Sequence, residues 1–222
     1  ALKTFAKTSE VVKIIIHTLI LLLISITSYV LTPYDSPALF LFAITVFFTL
    51  KYFEERKPQQ LIIISALIFI STLNRETSSL NIAFLGALFL DKEILKKEKL
   101  QKFIRIIALP VFAFLLAYIS VRIFMKTDEA TVSEGIYLVQ NLSKPNNLLG
   151  ILFFIIFIRW TQKISSSQQN ISKISAFLLL CSPYLLMILM VGILWEIRLF
   201  IPIIIGMLLL SQINFEEDTK MD

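Results

Sequence analysis

The chain is dominated by eight apolar runs that are separated by short polar or charged stretches. A bilayer core about 30 Å thick requires roughly 20 helical residues to cross it, so eight crossings would use on the order of 160 residues. Hydrophobic residues make up 57% of the 222 residues, compared with about 45 to 50% in globular proteins. We therefore predict an all-α, polytopic transmembrane helical bundle that forms a single domain over residues 1–222. The runs are Val11–Leu31, Ala38–Phe53, Leu61–Leu73, Asn74–Leu90, Ile106–Phe124, Leu148–Ile158, Ile174–Leu194 and Leu199–Ile213.

Two of these runs are short. The fourth is mainly apolar only over Leu80–Leu90 and the sixth is strictly apolar only over Leu148–Ile158, lengths that also fit a re-entrant or partly buried helix. We count both as spans, because the polar residues from Asn74 to Ser79 can form a first helical turn within the protein, where polar groups find partners.

The distribution of basic residues supports eight crossings independently of hydropathy. With both termini in the cytoplasm, sixteen of the 21 Lys and Arg residues fall on the inner side. The outer side then holds five, which are Arg75, Arg122, Lys126, Lys144 and Arg198. If either short run failed to cross, this asymmetry would weaken. The net charge of +5 is explained by basic residues that face an anionic inner leaflet. We therefore predict a multi-pass protein of the bacterial plasma (inner) membrane.

Several function classes are excluded by composition. Cys181 is the only cysteine and lies in an apolar run, so the chain is neither a zinc nor a disulfide scaffold. A chain that is nearly all membrane is not a nucleic-acid binder, and its main partner is the lipid bilayer. We interpret His17 as a packed histidine, and no residue pattern indicates a cofactor or a divalent metal. Asn141-Leu142-Ser143 matches a glycosylation sequon on the outer side, a short pattern that is often accidental.

The polar residues that hydropathy does not explain collect on the outer side. Ionisable residues at membrane depth cost several kcal/mol unless they are paired or hydrated, so they mark function or pairing. They are Asp35 in the first turn between spans, Asn74, Arg75 and Glu76 in the second, Arg122 at the end of the fifth span, and Glu196 and Arg198 between the last two.

Turn chemistry suggests what this cluster does. Asn74 is a favourable N-cap that would place Arg75 and Glu76 in the first turn of the fourth span, and Pro202 suits the first turn of the eighth. Two helix N-termini backed by arginines would form an anion site, with phosphate as the usual ligand. The competing interpretation is that the charges only hold helices together, through Arg75 with Glu196 and Arg198 with Glu76 or Asp35.

The residues that carry a family resemblance lie in three segments. Tyr34-Asp35-Ser36-Pro37 opens an aromatic span, Lys51-Tyr52-Phe53-Glu54-Glu55-Arg56-Lys57 forms a charged inner turn, and Leu73-Asn74-Arg75-Glu76-Thr77 closes the next span. With Glu196, Arg198 and Pro202 near the end, this pattern resembles the GT-C type membrane glycosyltransferases, in their protein mannosyltransferase branch. The similarity covers about residues 29–90 and 195–202.

The resemblance implies transfer of a sugar from a polyprenyl-phosphate-linked donor at the outer membrane face. Arg75, Arg198 and Arg122 would hold the donor phosphate and stabilise it as a leaving group, with Asn74 and Glu196 in support. A carboxylate would act as general base on the acceptor hydroxyl. In that family the base comes from a long first outer loop, whereas the first outer loop here has six residues, Thr32 to Pro37.

Three explanations fit this departure. The chain is the C-terminal part of a longer enzyme, which we favour, or the base is Asp35 or Glu76, or there is no catalysis. Two other functions remain open: a transporter or flippase for an anionic lipid or solute, and a non-enzymatic membrane assembly subunit whose charges only pair. Transporter sites lie near the midplane of the bilayer, whereas these charges are expected at the outer rim.

Overall fold

A computed structural model describes residues 10–29, 35–90, 96–124, 137–192, 194 and 197–215. All regular elements in these ranges are helices, which confirms the all-α fold class. The α-helices are α1 (Glu10–Tyr29), α2 (Asp35–Glu55), α3 (Pro58–Asn74), α4 (Ser79–Phe89), α5 (Lys97–Phe124), α6 (Leu138–Ser143), α7 (Pro145–Lys163), α8 (Gln168–Leu180), α9 (Ser182–Val191) and α10 (Ile201–Gln212). Short 3₁₀ helices occupy Glu76–Ser78 and Ile197–Phe200.

Two of the described helices are long and apolar enough to cross a membrane: Ser36–Glu55 within α2, and α5. The pair α8 and α9 becomes a third if it is one span with a bend of 48°. We predicted a single continuous run at this point, but Pro183 in the first turn of α9 cannot donate a backbone hydrogen bond to the preceding turn. The helices α3 and α10 are apolar but shorter, with 17 and 12 residues.

The core is centred on α4 and α10. Both helices are apolar around nearly their whole circumference and are buried on nearly all sides, as expected for helices surrounded by others. Their close packing against α8 depends on glycine. A Cβ on Gly206 would lie 2.7 Å from ring carbons of Phe177, and one on Gly86 would lie 2.8 Å from Leu180 Cδ1. Small residues allow helix backbones to approach in this way.

The outer helices have the opposite character. On α5 and α7, large apolar side chains such as Phe112, Ile123 and Ile156 are more than half exposed. In water such a surface would favour association or aggregation, whereas in a bilayer it faces lipid tails. The exposure pattern therefore agrees with a membrane protein whose short helices are enclosed by longer ones.

The described contacts define two ends of the bundle. At the arginine end, named for Arg75, the start of α2, the end of α3 and the starts of α4 and α10 meet around one pocket. At the lysine end, named for Lys173, the ends of α2, α4 and α10 meet the start of α8. There the Phe53 ring lies 5.6 Å from Phe89 and 5.7 Å from Phe215 between centroids, and Lys173 Nζ donates to Leu88 O.

Candidate anion-binding site

A pocket opens at the arginine end, where the outer charge cluster was predicted. The cavity volume is about 30 Å³, enough for a small polar group. Five helices and both 3₁₀ segments contribute to its wall. The lining residues are Ala38, Leu39, Phe42, Ser71, Arg75, Thr77, Ser78, Asn81, Tyr184, Leu199, Ile201 and Pro202.

Arg75 is held at this pocket by a turn between α3 and the first 3₁₀ helix. Its backbone is extended, with φ −162° and ψ 141°. Its N–H donates to Ser71 O at 2.8 Å, and its carbonyl accepts from Ser78 N–H at 3.3 Å. The hydroxyls of Thr72 and Ser78 share a hydrogen bond of 2.7 Å across the same turn. The position of Arg75, the one arginine among the described residues of the pocket lining, is thus fixed by backbone hydrogen bonds on both sides.

The predicted N-cap role of Asn74 is wrong. Asn74 is the last residue of α3, and the helix α4 begins after Ser78. The reason is the 3₁₀ helix Glu76–Ser78, which separates the two α-helices and places Arg75 before the break rather than in the first turn of α4. Asn74 stays a predicted supporting residue, since it borders Arg75.

Asn81 is a pocket residue that was not predicted from the sequence. It lies in the first turn of α4, is 1% exposed and lines the pocket. Neither its Oδ1 nor its Nδ2 has a hydrogen-bond partner within the part of the chain that the structure describes. Buried polar groups are nearly always hydrogen-bonded, so an unpartnered carboxamide beside a cavity indicates a place for a ligand. The available signal was one asparagine within a run of apolar residues.

Tyr184 forms another part of the wall that was not predicted. Its ring is buried, and its hydroxyl donates to Leu199 O at 3.1 Å, which ties α9 to the 3₁₀ helix before α10. Tyr184 and Arg75 line the same pocket. Tyr184 therefore positions the segment that contains Arg198 and completes the polar side of the pocket.

The N-termini of two helices border the pocket. Pro202 lies in the first turn of α10, as predicted. Neither Ser78, before α4, nor Phe200, before α10, makes a side-chain cap hydrogen bond. The positive ends of both helix dipoles therefore add to the charge of Arg75, and this combination attracts an anion.

Glu76 and Arg122 are paired away from the pocket. Arg122 Nη2 donates to Glu76 Oε1 at 2.9 Å, and the two side chains are 46% and 48% exposed. The guanidinium also lies 5.3 Å from the ring centroid of Tyr118. This pair links the end of α5 to the turn before α4, so it fits the interpretation of charges that hold helices. The roles of Glu76 as base and of Arg122 as phosphate ligand stay predictions.

The other predicted site residues lie partly outside the described chain. Asp35 is the first residue of α2, one turn before the pocket residues Ala38 and Leu39. Arg198 lies in the second 3₁₀ helix, next to the pocket residue Leu199. The side chains of Asp35 and Arg198, and the whole of Glu196, are outside the described residues. In the described ranges, no group of three or more His, Cys, Asp or Glu could hold a metal.

Asn141 has a structural role that argues against the sequon. It is fully buried, and its Nδ2 donates to Leu189 O at 2.9 Å and to Gly192 O at 2.7 Å. Its Oδ1 accepts from Asn147 Nδ2 at 3.1 Å. The carboxamide is therefore occupied in closing the C-terminus of α9, and its nitrogen is not accessible to a glycosylating enzyme.

Comparison with known family models, curated proteins and solved structures finds no match to this chain. The GT-C resemblance therefore stays a prediction that depends on the residues named above.

Proposed function

We propose that this chain is a membrane glycosyltransferase, and that the pocket at the arginine end binds the phosphate of a polyprenyl-phosphate-linked sugar. The observation that carries the proposal is the convergence on one cavity of Arg75, of Asn81, whose carboxamide has no described partner, and of two helix N-termini without a side-chain cap. A cation, a neutral amide and two helix dipoles suit a phosphate that carries a polar group.

The proposed step is a displacement at the anomeric carbon of the donor. The acceptor oxygen forms a bond to that carbon, the bond from carbon to phosphate oxygen breaks, and the polyprenyl phosphate leaves with the electron pair. Arg75 and Arg198 stabilise the charge that develops on the leaving phosphate. Asp35 takes the proton of the acceptor hydroxyl, since α2 begins with it one turn before the pocket.

A transfer assay with a matched arginine control tests this function. Membranes that contain the protein are given radiolabelled polyprenyl-phosphate hexoses, and incorporation into other material is followed. We expect Arg75→Ala to lower transfer at least a hundredfold, whereas Arg122→Ala, which removes a charge of the same sign outside the pocket, retains most activity. Equal loss in both variants, or none in either, would contradict a role for the pocket.

The proposal includes eight crossings with both termini in the cytoplasm, which puts the arginine end on the outer side. Variants with one introduced cysteine test this topology. The native Cys181 is buried, so we expect its background labelling to be low. We expect an impermeant thiol reagent to label Ser143→Cys, at the arginine end, from outside intact cells. Gln59→Cys, at the lysine end, should be labelled only after permeabilisation. The reverse pattern would overturn the orientation.

A transporter or flippase is the second candidate, and one feature favours it. The short buried helices α4 and α10 direct their N-termini at the pocket, and α8 and α9 form a broken pair, as in transporters whose discontinuous helices bind anions. Reconstituted vesicles separate the two functions. Movement of a polyprenyl-phosphate sugar across the bilayer without transfer to an acceptor would support transport, whereas a non-enzymatic subunit would bind no donor.

A further inference from the structure

The carboxamide of Asn81 has a chemistry that phosphate alone does not satisfy. Its Nδ2 carries two donors and its Oδ1 is an acceptor, and both atoms are buried without a described partner. The phosphodiester of a polyprenyl-phosphate sugar has no O–H group and offers only acceptors, so it can pair with Nδ2 but leaves Oδ1 unsatisfied. A hydroxyl group both donates and accepts, and neighbouring hydroxyls can satisfy the two atoms of a carboxamide together.

We infer that Asn81 is the residue by which the pocket recognises the sugar, so that the ligand is a hexose joined to a phosphate rather than a phosphate alone. The inference rests on the proposed function and adds to it a division of roles. Arg75 and the two helix N-termini bind the anionic part, and Asn81 binds hydroxyls of the neutral part.

Comparison with the other buried asparagines argues against a purely structural role. Asn141, Asn147 and Asn170 are also buried, and each makes side-chain hydrogen bonds. Two of them close helix C-termini. Asn81 makes no such bond to a helix C-terminus among the described residues. The other α4 residues from Leu80 to Leu88 are apolar. At this position an apolar residue of similar size would serve packing better, because it would leave no polar group unsatisfied.

Binding of two probes that differ only in the sugar tests the inference. Purified protein in lipid nanodiscs is titrated with a short-chain polyprenyl phosphate and with the corresponding polyprenyl-phosphate mannose and glucose. We expect the wild-type protein to bind at least one glycosylated probe tenfold or more tightly than the bare phosphate. Asn81→Leu should lose this preference and bind the glycosylated probes no more tightly than the bare phosphate, while its Tm does not fall.

The outcomes separate the two proposals. Arg75→Ala is expected to weaken binding of all the probes, whereas Asn81→Leu is expected still to bind the bare phosphate, which would show that its phosphate site is intact. If the wild-type protein binds phosphate and sugar-phosphate equally, or if Asn81→Leu keeps the tenfold preference, the sugar role of Asn81 is overturned and the phosphate site stands. If the wild-type protein binds none of the probes, the proposed function fails and this inference fails with it.

Discussion

The C-termini and the N-termini of α4 and α10 differ in how their backbone groups are capped. At the lysine end, α8 closes both C-termini: Lys173 Nζ donates to Leu88 O at 2.8 Å and to Leu90 O at 2.7 Å. Asn170 Nδ2 donates to Leu210 O at 2.7 Å and to Ile213 O at 2.8 Å. At the arginine end, the N-termini of the same two helices have no side-chain cap and border a pocket.

This difference separates structural polar groups from those available to a ligand. Helix ends leave backbone groups without intrahelical partners, and inside a membrane protein these groups need partners other than bulk water. The lysine end supplies them from the chain itself, so changes there are expected to lower stability. The arginine end leaves a cavity with a cation and an unpartnered amide, so changes there are expected to alter ligand binding.

The largest effect on stability is expected at Lys173. Lys173→Met removes a charged, mostly buried donor and both of its hydrogen bonds. The carbonyls of Leu88 and Leu90 at the end of α4 then lose this donor. Hydrogen bonds to charged groups contribute about 1.5 to 3 kcal/mol each, so we expect a loss of about 3 kcal/mol in the free energy of unfolding. Denaturant unfolding in detergent measures it. An unchanged unfolding midpoint would contradict the structural role of the lysine end.

Asn170→Ala is expected to cost about 2 kcal/mol, because two buried carbonyls at the end of α10 lose their donor. Ser175→Ala on the same helix is the matched control, since Ser175 is exposed and bonds only within its own turn. Thermal unfolding of the two variants side by side provides the measurement. If both variants unfold at the same temperature, the closure of α10 by Asn170 contributes nothing measurable.

At the arginine end we expect a substitution to raise the stability of the protein rather than to lower it. Asn81→Leu removes a buried polar group that has no described partner, so we expect it to stabilise the protein by about 1 kcal/mol. For a chain of this size that corresponds to a rise in Tm of about 2 to 4 °C. A fall in Tm of similar size would mean that Asn81 has a structural partner and belongs with the residues of the lysine end.

The smallest effect is expected at the exposed pair. Arg122→Ala breaks a 2.9 Å contact with Glu76 between side chains that are about half exposed. Such pairs contribute about 0.2 to 1 kcal/mol, so we expect a shift near 0.5 kcal/mol or less and nearly unchanged binding of polyprenyl phosphate. A tenfold loss of binding, measured by native mass spectrometry, would support the predicted role of Arg122 as a phosphate ligand.

The sequence predicted the helical fold because apolar runs of membrane length leave few alternatives. It placed Pro202 correctly, since a proline in the first turn is a local preference. It misplaced Asn74, because a 3₁₀ helix between two α-helices has no clear signature in the residues. The break at Pro183 was missed for a different reason: hydropathy averages across a run and does not register one proline.

The candidate site was only partly predictable. Arg75 stood out because an ionisable residue at membrane depth costs free energy unless it is paired or hydrated. Asn81 and Tyr184 did not, because their importance depends on which partners the fold supplies to a buried polar atom. The pairing of Glu76 with Arg122 joins residues 46 positions apart, and nothing local indicates which of several outer charges will meet.

Photo-crosslinking tests most directly the claim that the pocket at the arginine end binds an anionic lipid headgroup. A polyprenyl phosphate with a diazirine next to the phosphate is bound to the protein in nanodiscs, irradiated, and mapped by peptide mass spectrometry. We expect labels in residues 75–81 and 197–202, which competing unlabelled polyprenyl phosphate removes and Arg75→Ala abolishes. Labels confined to the outward surface of α5 or to the lysine end, and insensitive to Arg75→Ala, would contradict the claim.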